Sequence, residues 1–168
     1  MKILLVNDDG IDAIGIRRLI QALSEAHTVW VVAPDRQRSA ASMAMTLETP
    51  LRAVLREIEG AEIAYAVDGT PVDCVKIGQR VVLRNRHIDL VLSGINHGSN
   101  SSVSVLYSGT MGAAIEASFE YPAVGLSLLD YSPDADFTAA IHFGKRIVKS
   151  ILENGLPAHT CLNVNFPN

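Results

Sequence analysis

The chain has 168 residues, of which 48% are hydrophobic, 19% charged and only 5% aromatic. That length suffices for one core without disulfide or metal staples, and a palette of Val, Ile, Leu and Ala suits an α/β protein with a parallel sheet. The formal charge of −4 shows none of the basic excess of a nucleic-acid duplex binder, and an anionic substrate would need a metal or local donors to offset the overall repulsion.

Cys74 and Cys161 form no C-x-x-C unit, which fits a reduced, cytoplasmic protein. Asp8 and Asp9 interrupt the N-terminal apolar run before it reaches the length of a signal peptide. No stretch approaches the roughly 18 apolar residues of a membrane span, so no membrane partner is expected.

Lys2 to Val6 is apolar and branched, and predicts a central strand. Asp8 to Asp12 is a polar turn. Ile16, Leu19, Ile20 and Leu23 recur at helical spacing and predict a helix over 13–26. Thr28 to Ala33 is a second strand, closed by Pro34, which completes a right-handed β-α-β unit. Residues 34–46 carry no strand pattern and read as a long loop. Leu47 to Ile58 and Ala61 to Val67 read as strands turned at Glu59-Gly60, an antiparallel appendage or edge.

Thr70 and Pro71 then supply an N-cap and a first helical position. Asp89 to Leu92 is a third buried strand, ending in a polar loop from Ser93 to Ser102. Ser108-Gly109-Thr110 leads into a helix over 111–120, and Ala123 to Leu128 is a further strand. Phe137, Ala140, Ile141, Gly144, Val148 and Ile151 share one side of a helix over 134–152, and alternating Leu162 to Phe166 forms the last strand. This order predicts an α/β fold: a doubly wound, Rossmann-like, mostly parallel sheet with a small antiparallel β appendage, in a single domain over 1–168.

Ligands of open α/β sheets bind beyond the C-terminal ends of the strands. That rule gathers three polar clusters at one rim: Asp8 and Asp9, the loop with Gln37 and Ser39, and the segment from Ser93 to Ser102. Their donors are carboxylate, hydroxyl and amide oxygens, a set suited to a hard cation such as Mg²⁺ or Mn²⁺ rather than to a thiolate zinc site. Ser108 to Thr110 opens a helix, whose N–H groups form an anion site. A hard metal beside an anion site points to phosphate chemistry.

Blander readings exist for each part. Asp8 or Asp9 could cap the helix at Ala13, Asn96 and Asn100 could be turn residues, and His97 could simply be exposed. Asp68, Asp73 and Cys74 read as structural.

Six segments occur in order along nearly the whole chain. They are Asn7-Asp8-Asp9-Gly10, the run from Ala33 to Ser39, Gly69 to Val75, Ser93 to Asn100, Tyr107 to Ala114, and Asn163-Val164-Asn165-Phe166-Pro167. Together they resemble the SurE family of survival proteins, which are metal-dependent nucleotidases. The resemblance implies a Rossmann-like fold and hydrolysis of nucleoside monophosphates, on 5′- and also 3′-nucleotides, with short polyphosphate as a further substrate. It implies one divalent cation held by Asp8, Asp9, Ser39 and Asn96, a catalytic role for Asp8, Asp9 and Asn96, and phosphate contacts from Ser108, Gly109 and Thr110. It further implies a homodimer or homotetramer. Family members continue for several tens of residues past the Asn-Val-Asn-Phe-Pro stretch, so the domain is expected to lack the family's C-terminal extension.

The mechanism is open between in-line attack by water and attack by a carboxylate through a phospho-aspartyl intermediate. A Mg²⁺-binding receiver-type signalling domain is the alternative from another class. Its phosphoacceptor carboxylate would follow Asp89-Leu90-Val91-Leu92, where this chain has Ser93. A dinucleotide-binding domain is opposed by the absence of G-x-G-x-x-G in the first turn.

Overall fold

The strand Lys2–Val6 (β1) is apolar on both faces because both are covered. Ile3 and Leu5 enter one core cluster and Leu4 and Val6 another. The computed structural model describes residues 1–167. After β1 come α1 (Ile14–Ser24), β2 (Thr28–Pro34), β3 (Ala53–Leu55), β4 (Ile63–Val67) and α2 (Pro71–Ile77). Then follow β5 (Leu90–His97), α3 (Gly109–Ser118), β6 (Ala123–Leu128), α4 (Thr138–Asn154) and β7 (Cys161–Phe166). The seven strands form one sheet in the order β3-β4-β2-β1-β5-β6-β7, parallel throughout except where β3 meets β4.

Residues of opposite parity along β1 and β2 feed the two helical layers. Ile3, Leu5, Val29 and Val31 pack with Ile16, Leu19 and Ile20 of α1 and Ala140, Val148 and Ile151 of α4. Leu4, Val6, Trp30 and Val32 pack with Cys74 and Val75 of α2 and Ala113 and Ala117 of α3. This is the doubly wound arrangement. The chain leaves β1 for β2 on one side and later returns to place β5 on the other, so a switch point lies between β1 and β5. No described helix is long and apolar enough to cross a membrane.

Several sequence expectations need correction. The strand expected over 89–92 runs on to His97, so Ser93 to His97 is strand rather than loop. Its register with β6 shifts between Ser93 and Asn96, and the Gly94–Ile95 peptide is cis. Gly94 has φ +126°, and a Cβ there would lie 2.3 Å from the Leu126 carbonyl oxygen. The polar composition that suggested a loop belongs to a strand end that reaches the rim, while its Ile95 stays in the core.

The strand expected over 47–58 shrinks to Ala53–Leu55, every residue of which is exposed; its apolar alternation has no core to face. The expected antiparallel appendage is present as the β3–β4 edge pair, with β4 joining the parallel sheet through β2. The helix expected from Asp134 begins at Thr138, because Asp136 first spends its carboxylate on the Thr138 N–H. The N-cap of α1 is Ala13, with no side-chain cap, so neither Asp8 nor Asp9 serves as a helix cap there.

Candidate active site

Asp8 and Asp9 emerge from the C-terminal end of β1 into the switch point. Three other elements converge on them. From α3, the Thr110 hydroxyl donates to Asp8 Oδ1 at 2.5 Å. From β5, the His97 N–H donates to Asp9 Oδ2 at 3.3 Å. From the loop after β2, the Arg38 N–H donates to the Asp8 carbonyl at 2.7 Å. Residues 102 positions apart thus meet at one carboxylate.

The N-terminus of α3 is pressed onto Asp8. A Cβ at Gly109 would lie 2.8 Å from Asp8 Cβ and 3.0 Å from Asp8 Oδ2, so only glycine permits this approach. Ser108 is the N-cap, and its hydroxyl accepts from the Met111 N–H at 3.0 Å. The positive end of the α3 dipole therefore faces the acidic rim, where an anion would also be held.

Burial sets the electrostatics. Asp8 is 6% exposed, and desolvation pushes its carboxyl up to about 6. The Thr110 hydrogen bond opposes that rise, and the neighbouring Asp9 charge adds to it. Asp9 is also raised by desolvation, against the His97 N–H, the charge of His97 and the Gln37 side chain. Two adjoining carboxylates that are costly to ionise form a site in which a cation would lower the free energy of both.

The remaining predicted residues lie at the same rim with different degrees of contact. The Asn96 amide nitrogen donates to the Gly98 carbonyl at 2.9 Å, which leaves its carbonyl oxygen as the free end. Ser39 follows Arg38 directly and is exposed. The loop that carries it is seated against the first turn, since a Cβ at Gly10 would come within 3.1 Å of the Arg36 backbone. Among the described residues no group of three or more His, Cys, Asp or Glu could hold a metal. A cation at this rim would therefore draw on amide, hydroxyl and water oxygens beside the two carboxylates, and the residues present fit a hard divalent ion.

Sequence reasoning leaves out several contacts made at the rim. Beside its expected place at the phosphate, Thr110 donates its hydroxyl to Asp8. Gln37, read only as part of the rim loop, acts on Asp9. The Asn163 and Asn165 side chains anchor the loop beyond β5: the Asn100 N–H donates to Asn165 Oδ1 at 2.9 Å, and Asn163 Nδ2 donates to the Asn100 carbonyl at 2.8 Å. The alternation of polar Asn with apolar Val164 and Phe166 was the available signal.

The fold and rim define a doubly wound α/β protein with a carboxylate-bearing site at its switch point. Comparison with known proteins then identifies the family. The family model described as "Survival protein SurE" matches residues 3–168, and the chain belongs to the SurE family. It is 52% identical over 166 residues to "5'-nucleotidase SurE" of Cytophaga hutchinsonii, covering 98% of this chain and 64% of that protein. It is 50% identical over 167 residues to "5'-nucleotidase SurE" of Flavobacterium psychrophilum, covering 98% and 65%. The crystal structure of the SurE protein from Aquifex aeolicus superposes with a TM-score of 0.89 at 40% identity, over 100% of this chain and 66% of that one. The chain thus spans just under two thirds of the length of the curated relatives it matches.

Proposed function

We propose that this chain forms the catalytic core of a divalent-metal-dependent phosphomonoesterase acting on nucleoside monophosphates. The observation that carries the reading is the meeting of the N-terminus of α3 with a carboxylate pair, Asp8 buried and Asp9 half-buried, that no cationic side chain among the described residues pairs. Relatives sharing about half of the sequence bear the name 5′-nucleotidase, which supports the substrate class.

Asp8, Asp9, Ser39 and Asn96 would hold one Mg²⁺ or Mn²⁺. When bound, such an ion supplies charge stabilisation at the phosphoryl oxygens and a water of lowered pKa. The protein's own residues do the rest. The first N–H groups of α3, at Gly109 and Thr110, receive phosphate oxygens, with Ser108 fixing the turn. Thr110 orients the Asp8 carboxylate, and the His97 N–H orients Asp9. Water is the proposed nucleophile, in line with the leaving ribose oxygen. Trapping of a phosphorylated Asp8 or Asp9 would replace that route by carboxylate attack.

3′-Nucleotides and short polyphosphate present the same terminal phosphoryl group and are proposed as further substrates. Residues 1–168 act as one domain, cytoplasmic, in a homodimer or homotetramer. The test is phosphate release over a panel of nucleoside monophosphates with EDTA and with Mn²⁺. Release that requires Mn²⁺ is expected; release that is equal in EDTA, or absent from every nucleotide, contradicts the reading.

A further inference from the structure

Tyr131 lies just beyond β6 and is 77% exposed as a residue. An exposed tyrosine can leave its polar tip in water. Here the tip is tied down, because the Ser99 N–H donates to Tyr131 Oη at 3.3 Å. The ring is also seated on Gly98, where a Cβ would lie 2.2 Å from Tyr131 Cε1 and 2.6 Å from Cζ. Gly98 has φ +101°, so both the space and the backbone conformation at this position call for glycine. The same Gly98 carbonyl accepts from the Asn96 side chain. A chain of direct contacts therefore links the candidate site to an apolar ring that faces solvent.

The position of the ring relative to the carboxylates is informative. Asp8 follows β1, Asn96 lies at the end of β5, and Tyr131 follows β6; these three strands are consecutive in the sheet. Two strand spacings amount to about 10 Å. That is the reach from the phosphate of a nucleotide, across its ribose, to its base. A phosphate held at Asp8 and the α3 N-terminus would thus bring a base to the level of Tyr131.

We infer that Tyr131, mounted on Gly98 and Ser99, is the platform on which the substrate's nucleobase stacks; the inference rests on the nucleotidase reading above. Stacking uses the π face that every base presents, so such a platform favours a nucleotide over a baseless phosphate ester while accepting many bases.

The experiment measures binding, separately from turnover. Affinities of adenosine 5′-monophosphate and ribose 5-phosphate are determined by calorimetry for the intact chain and for Tyr131→Ala, Tyr131→Phe and Tyr131→Trp. In the unaltered protein the nucleotide should bind about tenfold or more tightly than the sugar phosphate. Tyr131→Ala should bring that ratio close to one while leaving ribose 5-phosphate affinity unchanged. The Phe and Trp variants should keep the ratio, since they keep the ring.

An unchanged ratio in Tyr131→Ala, or an equal loss for both ligands, overturns the inference. So does dissociation of an oligomer by Tyr131→Ala with the ratio intact, which would make the ring a contact between copies. If the ratio behaves as expected but no nucleotide is hydrolysed, the platform stands and the nucleotidase reading fails.

Discussion

Asp8 and Asp73 show similarly little surface, 6% and 2% exposed, yet their carboxylates are treated in opposite ways, and Asp8 sits deeper among protein atoms. Burial raises both. At Asp73 that rise is overcome by the Thr46 hydroxyl at 2.7 Å, the Thr46 N–H at 2.9 Å and the Thr70 N–H at 2.9 Å, so its carboxyl ends below the usual range. At Asp8 the Thr110 hydroxyl and the backbone N–H groups of Asp8 and Thr110 oppose burial without overcoming it, the Asp9 charge reinforces it, and the carboxyl is left at about 6. Asp73 has its bonding satisfied inside the protein, in a capping box that starts α2. Asp8 is underbonded beside a like charge, at a strand end that opens to a rim. Low surface exposure alone does not mark a functional carboxylate; desolvation that internal donors and neighbouring charges leave uncompensated does.

Removing each carboxylate separates the two cases. Asp8→Asn should lower Mn²⁺-dependent phosphate release by more than about 100-fold, since even ligand-orienting partners commonly cost 10- to 100-fold. The same change should stabilise the metal-free chain at pH 8 by about 1–3 kcal/mol in urea unfolding, because it removes a poorly compensated buried charge. The pH dependence follows with a definite sign. Asp8 binds its proton more tightly in the folded chain, at about 6, than at its ordinary value of 3.8. The metal-free fold therefore gains stability as pH falls from about 7 towards 4, and Asp8→Asn should flatten that slope.

Asp73→Ala should do the reverse. It leaves the Thr46 and Thr70 donors unpaired and removes a cap, at a cost of about 2–4 kcal/mol. Activity per folded molecule should survive, as read by phosphate release below the unfolding midpoint.

Thr110→Val probes the one side-chain hydroxyl bonded to Asp8. A loss of about 1 kcal/mol is expected. The more telling readout is the pH midpoint of Mn²⁺ binding, which should move upward because the bond that lowers the Asp8 carboxyl is gone. Ser39→Ala should have the smallest effect, weakening Mn²⁺ on the order of a few-fold in a metal titration, since a neutral hydroxyl contributes less than a carboxylate.

The same contrast shows what the sequence can reveal. Asp8 and Asp9 were conspicuous because two charges followed a buried strand, and the Thr70-Pro71 helix start was equally legible because capping is local. β1 and β6 were readable to the residue, since both are mostly apolar, buried runs with a strand on either side. The extension of β5 to His97 was not. Its second half is polar because it serves the rim, and a polar strand end looks like a loop. The shrinkage of the 47–58 segment was also hidden, because edge strands keep an alternating pattern without any core to support it. The Thr110–Asp8 bond has no local signature at all. It depends on α3 crossing the sheet to reach β1, and only topology brings the two together.

A calorimetric titration of Mn²⁺ into the metal-free chain at pH 8 bears most directly on the role of Asp8 and Asp9. One ion should bind to the unaltered protein and none to Asp8→Asn, while Asp73→Ala should bind as the unaltered protein does. Binding to Asp8→Asn with unchanged affinity would contradict the account.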